Sequence, residues 1–214
     1  MTNFSIISPC YNADKTLQAT LRSIQAQTCD DWEIICVDDG STDKTLEILF
    51  KACIQDPRIH VVKNIGTGPS CARNFGAMFF ASCKIIAFCD ADDIWGPNKL
   101  IQLAACFKDQ NADATFGKIA FFQDDPTLAS TFSIVPSKPL SIPMLLAENP
   151  VCTMSNFAVR SEAFMRSGGF DETMVHNEDL EWLIRLVGTG AHVVGIDICQ
   201  TWYRSSKYGL SADL

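Results

Sequence analysis

No CxxC pair occurs among the ten cysteines of this 214-residue chain, and tetrahedral thiolate metal sites are built from such pairs. Cys10, Cys36, Cys53, Cys83, Cys89, Cys106 and Cys199 lie mostly inside apolar text, as small buried hydrophobes do. That pattern argues against a disulfide framework and predicts a reducing, cytoplasmic setting. The three histidines, His60, His176 and His192, are too scattered to form a ligand set. Basic residues are in deficit, 17 Lys and Arg against 25 Asp and Glu, for a net charge of −8. A general nucleic-acid binder, whose affinity rests on cations neutralising phosphates, is thereby excluded; binding one phosphorylated small molecule at a local site is not. No apolar run reaches the roughly 18 residues that span a bilayer, and no basic segment leads into an apolar one as in a signal peptide. No transmembrane segment is expected, and membrane contact would be peripheral. There is no P-loop. The only glycine-rich stretch, GTGPSCARNFG, has Cys71 where a dinucleotide fingerprint wants its third glycine, and it follows the third strand instead of the first.

What is present suits one α/β unit over residues 1–214, with 47% hydrophobic residues to fill its core. NFSIISP, WEIICVDD, RIHVVKN and KIIAFCDAD read as buried strands. DKTLQATLRSIQAQ, STDKTLEILFKACIQ, SCARNFGAMFFASC and NKLIQLAACFKDQ read as the helices between and after them, with Leu17, Leu21 and Ile24 at helical spacing. Ser41 or Thr42 offers an N-cap, and Pro97 opens the fourth helix. Alternation with short connections implies a mostly parallel, doubly wound, Rossmann-like sheet flanked by helices. After about residue 110 the rhythm breaks. ATFGKIAFFQ, SNFAVR and AHVVGID read as strands, EDLEWLIRLVGTG as a helix, and TLASTFSIVPSKPLSIP as irregular. Residues 1–110 thus form a nucleotide-binding-type half, and 111–214 a half free to shape a substrate pocket.

Ligands in open parallel sheets bind outside the carboxyl ends of strands. Those ends carry SPCYN, VDDGSTD and CDADD, which would gather Tyr11, Asp38, Asp39, Asp90, Asp92 and Asp93. Each cluster alone could be turn and cap chemistry. Together, the acids would repel one another unless a cation neutralised them. Mg²⁺ and Mn²⁺ favour such oxygen ligands and bring phosphate oxygens with them, so a divalent metal clamping a diphosphate is expected.

In this order, SPCYN, VDDGSTDKT, ARNFG, CDADDIW, GGFDE and NEDLEWLIRL resemble the family 2 glycosyltransferases of GT-A fold, from about Phe4 to about Arg204. The resemblance implies a seven-stranded, mostly parallel sheet that binds a nucleoside-diphosphate sugar, UDP-linked by preference, and transfers the sugar with inversion to a glycan or lipid-linked acceptor. It places Pro9, Tyr11, Asp39, Arg73 and Asp90 at the donor nucleotide, with Tyr11 stacking on the base. Asp92 falls at the metal, with Asp90 and Asp93 as possible supports, and residues 111–214 on the acceptor side. Asp179 matches the general base that deprotonates the acceptor hydroxyl; equally, Asn177, Glu178 and Asp179 complement a helix dipole. Trp95, Gly169 and Glu178 fall on the acceptor and sugar side, although core packing suits Trp95 as well. Arg73 is either a donor contact or an exposed, ion-paired helix residue. Trp182 reads as core, His176 as exposed loop, and Arg185 as facing either diphosphate or solvent. One departure is plain: Tyr203-Arg204 is not followed by the metal-ligand histidine of many relatives, and Lys207 could contact phosphate instead. A non-catalytic nucleotide-sugar-binding protein of the same fold is therefore the alternative. A nucleotidyltransferase is disfavoured because SPCYNADK lacks that class's glycine- and lysine-rich first loop.

Overall fold

The computed structural model describes residues 4–109 and 111–205; Lys207 lies outside them. Phe4–Cys10 forms β1, buried along nearly its whole length. Helix α1, Leu17–Gln25, buries Leu17, Thr20, Leu21 and Ile24, the i, i+3, i+4, i+7 stripe of an amphipathic helix. Then come β2 (Trp32–Asp38), α2 (Thr45–Gln55), β3 (Ile59–Lys63), α3 (Pro69–Phe75) and, after a π-helical turn over Gly76–Phe80, β4 (Ile85–Phe88). The second half comprises β5 (Ile94–Trp95), α4 (Lys99–Asp109), β6 (Ala114–Phe122), β7 (Thr131–Phe132), α5 (Ile142–Ala147), β8 (Phe157–Arg160), α6 (Ser161–Ser167), α7 (Glu178–Gly188) and β9 (Val193–Arg204).

One sheet runs β3-β2-β1-β4-β8-β6-β9-β5, with β7 on β6. Among the described residues it has nine strands, not seven. Parallel pairing holds for β3-β2-β1-β4, where each crossover carries a helix that returns the chain to the starting end. The remainder is mixed: β8 runs antiparallel to β4 and β6, β9 is parallel to β6, and β5 is antiparallel to β9. The cause is local. Ser155 Oγ accepts the Asp90 N–H at the tip of β4, so β8 starts where β4 stops and must run back beside it.

Consecutive residues of the strands point to opposite faces. Phe4, Ile6, Trp32 and Ile34 join α1 and α4 residues in one apolar cluster. Ile7, Ile35, Val37 and Phe88 join α6 and α7 residues in the other. Trp182 is fully buried there, packed on Phe88, Phe157, Phe164 and Phe170, and its indole N–H donates to Ser167 Oγ at 2.9 Å. Neither Ser41 nor Thr42 caps α2. Asp43 Oδ1 accepts the Thr45 N–H at 2.9 Å, while Ser41 and Thr42 are bonded to Asn12 and tie the β2 tip to the β1 tip. Among the described residues no helix is long and apolar enough to cross a membrane.

Candidate active site

The tips of β1, β2 and β4 form one polar rim. The Asp39 N–H donates to Cys10 O at 2.8 Å, locking the first two tips together. Pro9 is partly buried in register with Val37, and Tyr11 beyond it is 62% exposed, leaving a ring face uncovered. Asp38 turns inward, accepting the N–H groups of Gly40 and Ser41. Asp39 is the partly exposed acid of the pair. Its Oδ1 accepts Asn64 Nδ2 and its Oδ2 accepts the Gly68 N–H, both at 2.7 Å, so it holds the loop that launches α3.

Arg73 on α3 joins this rim to the second half. It is 5% exposed; Nη2 donates to Asp90 Oδ1 at 2.7 Å and Nη1 to Glu178 Oε1 at 3.2 Å. Burial works against its charge, but these two carboxylates hold the guanidinium above its ordinary value. The exposed-helix alternative for Arg73 is thus overturned, although the ion-paired part of it stands. Its Nε is buried with no hydrogen-bond partner.

The adjacent acids Asp92 and Asp93 separate. Burial, and then the charge of Asp90, push the Asp92 carboxyl up to about 6. No ion pair to Asp92 exists among the described residues. Asp93 is completely buried, its Oδ1 accepting the Arg204 N–H at 2.9 Å and its Oδ2 left without a partner. Burial followed by Asp92 and Asp90 raises it well above the carboxylate range. Enclosed in this way, Asp93 joins the β5 corner to β9 and offers no oxygen to the open rim, which corrects its assignment as a metal support. Behind it Lys99 is also fully buried, donating to Thr201 Oγ1 at 3.1 Å, and burial pushes its ammonium down to about 7.

No three His, Cys, Asp or Glu side chains gather as a metal-holding group among the described residues. A divalent cation of the Mg²⁺ kind needs only one or two carboxylates when substrate phosphates and water complete its shell. Asp92, which has no direct ion pair and only the nearby charge of Arg204 to offset it, with Asp90 beside it, fits that role.

Asp179 is the second residue of α7. Its Oδ2 accepts Asn149 Nδ2 at 3.1 Å and its Oδ1 the Leu180 N–H at 2.7 Å. Glu178 precedes it, so Arg73 links the start of α7 directly to Asp90. Packing bears on four other residues, Trp95, Gly169, Glu178 and Arg185. Trp95 is 2% exposed and donates its indole N–H to Ser155 O at 2.9 Å, making it core and not an acceptor wall. Gly169, at φ +70°, is needed because a Cβ there would stand 2.5 Å from Asn74 Oδ1; the close approach is to α3, not to substrate. Glu178 engages Arg73, and Arg185 pairs with Glu181 and donates to Ser167 O at the end of α6, so it does not point at a diphosphate. His176 is exposed.

The sequence reading misses Asn74, Asn149, Thr153 and Ser155. Asn74 clamps Phe170 through both its amide ends. Thr153 Oγ1 donates to Asp90 Oδ2 at 3.2 Å. A signal was available: Thr153, Ser155 and Asn156 are polar residues set between apolar ones in VCTMSNF. A surface depression of about 330 Å³ adjoins the β2 tip, lined by Asp38, Gly40, Ser41, Phe50 and Val61, and another of about 490 Å³ lies beside Phe121 and Leu128.

Comparison with known proteins agrees with this architecture. The family model described as Glycosyl transferase family 2 matches residues 5–168. The UDP-Glc:alpha-D-GlcNAc-diphosphoundecaprenol beta-1,3-glucosyltransferase WfgD of Escherichia coli is 30% identical over 212 residues, covering 98% of this chain and 79% of that protein. Among solved structures, S. aureus TarS 1-349 in complex with UDP-GlcNAc superposes with a TM-score of 0.82 at 20% identity, over 99% of this chain and 61% of that one. The mannosyltransferase PcManGT of Pyrobaculum calidifontis, in complex with GDP-Man and Mn²⁺, gives 0.73 at 20% identity, over 98% and 59%. The fold is GT-A, and the chain belongs to glycosyl transferase family 2.

Proposed function

We infer that this glycosyltransferase moves a sugar from a UDP-sugar to an acceptor hydroxyl, with inversion at the anomeric carbon. The observation that supports the reading is the bridge Asp90–Arg73–Glu178, which ties the start of α7, where Asp179 lies, to one of the donor-side acids. Tyr11 offers its exposed ring to the base, and Asp39, already oriented by Asn64 and Gly68, presents remaining lone pairs toward the nucleotide. Asp92, with Asp90, would hold Mn²⁺ or Mg²⁺; bound there, the ion would supply charge stabilisation to the departing diphosphate. Asp179 takes the proton of the acceptor hydroxyl as that oxygen bonds to the anomeric carbon and the bond to the diphosphate breaks. The named substrate of WfgD supports a lipid-linked acceptor, met by the protein at a membrane surface during surface-glycan synthesis.

Calorimetry of UDP with Mn²⁺ tests the donor site: binding is expected in the wild type and at least tenfold weaker in Asp92→Ala. Asp179→Asn should bind UDP normally yet lose transfer by about 10²-fold or more. The missing histidine after Tyr203-Arg204 favours a second reading, a donor-binding protein without turnover. Metal-dependent release of UDP from UDP-glucose would exclude it.

A further inference from the structure

The five residues Asn149–Thr153 connect α5 to the turn before β8 and belong to none of the sequence motifs. They reach two acids on different elements. Asn149 donates Nδ2–H to Asp179 Oδ2 at 3.1 Å, while its Oδ1 accepts the Val151 N–H at 3.1 Å. The second bond determines which way the amide faces, because a flipped amide would set N–H against N–H. At the other end, Thr153 Oγ1 accepts the Ser155 N–H at 3.3 Å and donates to Asp90 Oδ2 at 3.2 Å. Its one proton is therefore committed to the acid. Between these arms Pro150 and Val151 are buried. Val151 O accepts Asn156 Nδ2, and Asn156 is itself bonded to both the N–H and the C=O of Gly117. The strap is thus anchored in the sheet while its two ends hold Asp179 and Asp90.

On the functional reading above, we propose that Asn149 is the positioning residue for Asp179, and that the strap sets the spacing between the base and the donor-side acid. Asp179 lies near the start of a helix, partly exposed, and its backbone contact to Leu180 fixes only one carboxylate oxygen. Without the amide, the side chain regains rotamers that point away from the acceptor. Misplacement of a reacting group by about 1 Å costs on the order of 10²-fold in rate.

The test uses UDP release from UDP-glucose, with Mn²⁺ present and water as acceptor. Asn149→Ala should lower kcat about 10- to 100-fold, while KM for UDP-glucose and calorimetric UDP affinity stay within about twofold. In an Asp179→Asn background the same substitution should add nothing, since the two residues act as one unit. Wild-type kcat in Asn149→Ala, or the same fractional loss in both backgrounds, would overturn the proposal. If Asp179→Asn itself turns over normally, the base assignment falls and takes the functional reading with it. Should Asn149→Ala unfold, Asn149→Asp serves, because it keeps the acceptor for Val151 and exchanges the donor for a repelling charge. It must lose at least as much kcat.

Discussion

Asp92 and Asp93 share a peptide bond and almost nothing else. Both carboxyls are raised, chiefly by burial, Asp92 to about 6 from an ordinary 3.8 and Asp93 well above it. Between about pH 4 and 6 the folded protein therefore binds more protons at Asp92 than the unfolded chain does, and Asp93 acts in the same direction. The Asp92 contribution to stability is fully present below about pH 4 and is lost as pH rises through 6. Asp56, lowered to about 2 chiefly by Arg58, has the opposite sign, so the informative quantity is a difference. Metal-free Asp92→Asn should match the wild type below pH 4 and exceed it above pH 6, by about 3 kcal/mol at most. Urea unfolding at a series of pH values measures this, and parallel curves would remove Asp92 as the strained acid. Arg73 is the counterpart on the cationic side. Arg73→Met leaves Asp90 and Glu178 half-buried without their shared cation. A loss of about 3 kcal/mol or more in urea unfolding is expected, and a loss under 1 kcal/mol would mean the bridge is exchangeable for water.

Asp43 shows how an element start can hide from pattern reading. Ser41 and Thr42 read as the capping candidates, yet it is Asp43 that holds Thr45, while it also accepts the Asp14 N–H at 3.0 Å. Asp43→Ala should cost about 1 kcal/mol, read from the urea midpoint, with Ser41→Ala costing less. The same logic separates what was legible from what was not. Strands β1, β2 and β4 could be read because both their faces are covered and the text is mostly apolar; β3, at the sheet edge with His60 and Lys63 exposed, was legible from its β-branched Ile59, Val61 and Val62. Strand β9 could be read only in its first half, because Gln200 and Thr201 are polar yet 1% and 0% exposed, which erases the apolar signal. The two-residue β5 is too short for any period. The π turn after α3 read as plain helix, since five residues cannot distinguish the two windings. Its Gly76 is required by packing: a Cβ would stand 2.7 Å from Ile7 Cγ2. For the site, the acidic strand tips were visible. Which of Asp90, Asp92 and Asp93 faces outward was not, because that depends on β9 arriving behind them.

Across the molecule, one sheet divides two apolar clusters, with Trp32 in one and Trp182 in the other. The junction between the halves 1–110 and 111–214 is crossed by the β4–β8 pairing, by the β5–β9 pairing and by the Arg73–Glu178 bridge. Opening either half would expose a sheet face and strand edges of the other, so neither has a stable partner-free state. The proposed site depends on the same continuity, since Asp39, Asp90 and Asp92 come from the first half and Asp179 from the second. The chain should therefore unfold in one cooperative step. Single-tryptophan variants, one retaining Trp32 and one retaining Trp182, report on opposite faces of the sheet. Their fluorescence midpoints in urea should coincide with each other and with the far-UV circular dichroism midpoint of the same variant, once each is corrected for its own stability change. Separate transitions, with Trp182 released first, would mean that the half 111–214 can open alone. The positions of Asp179 and Asn149 would then be set by an equilibrium between open and closed forms instead of by a fixed frame.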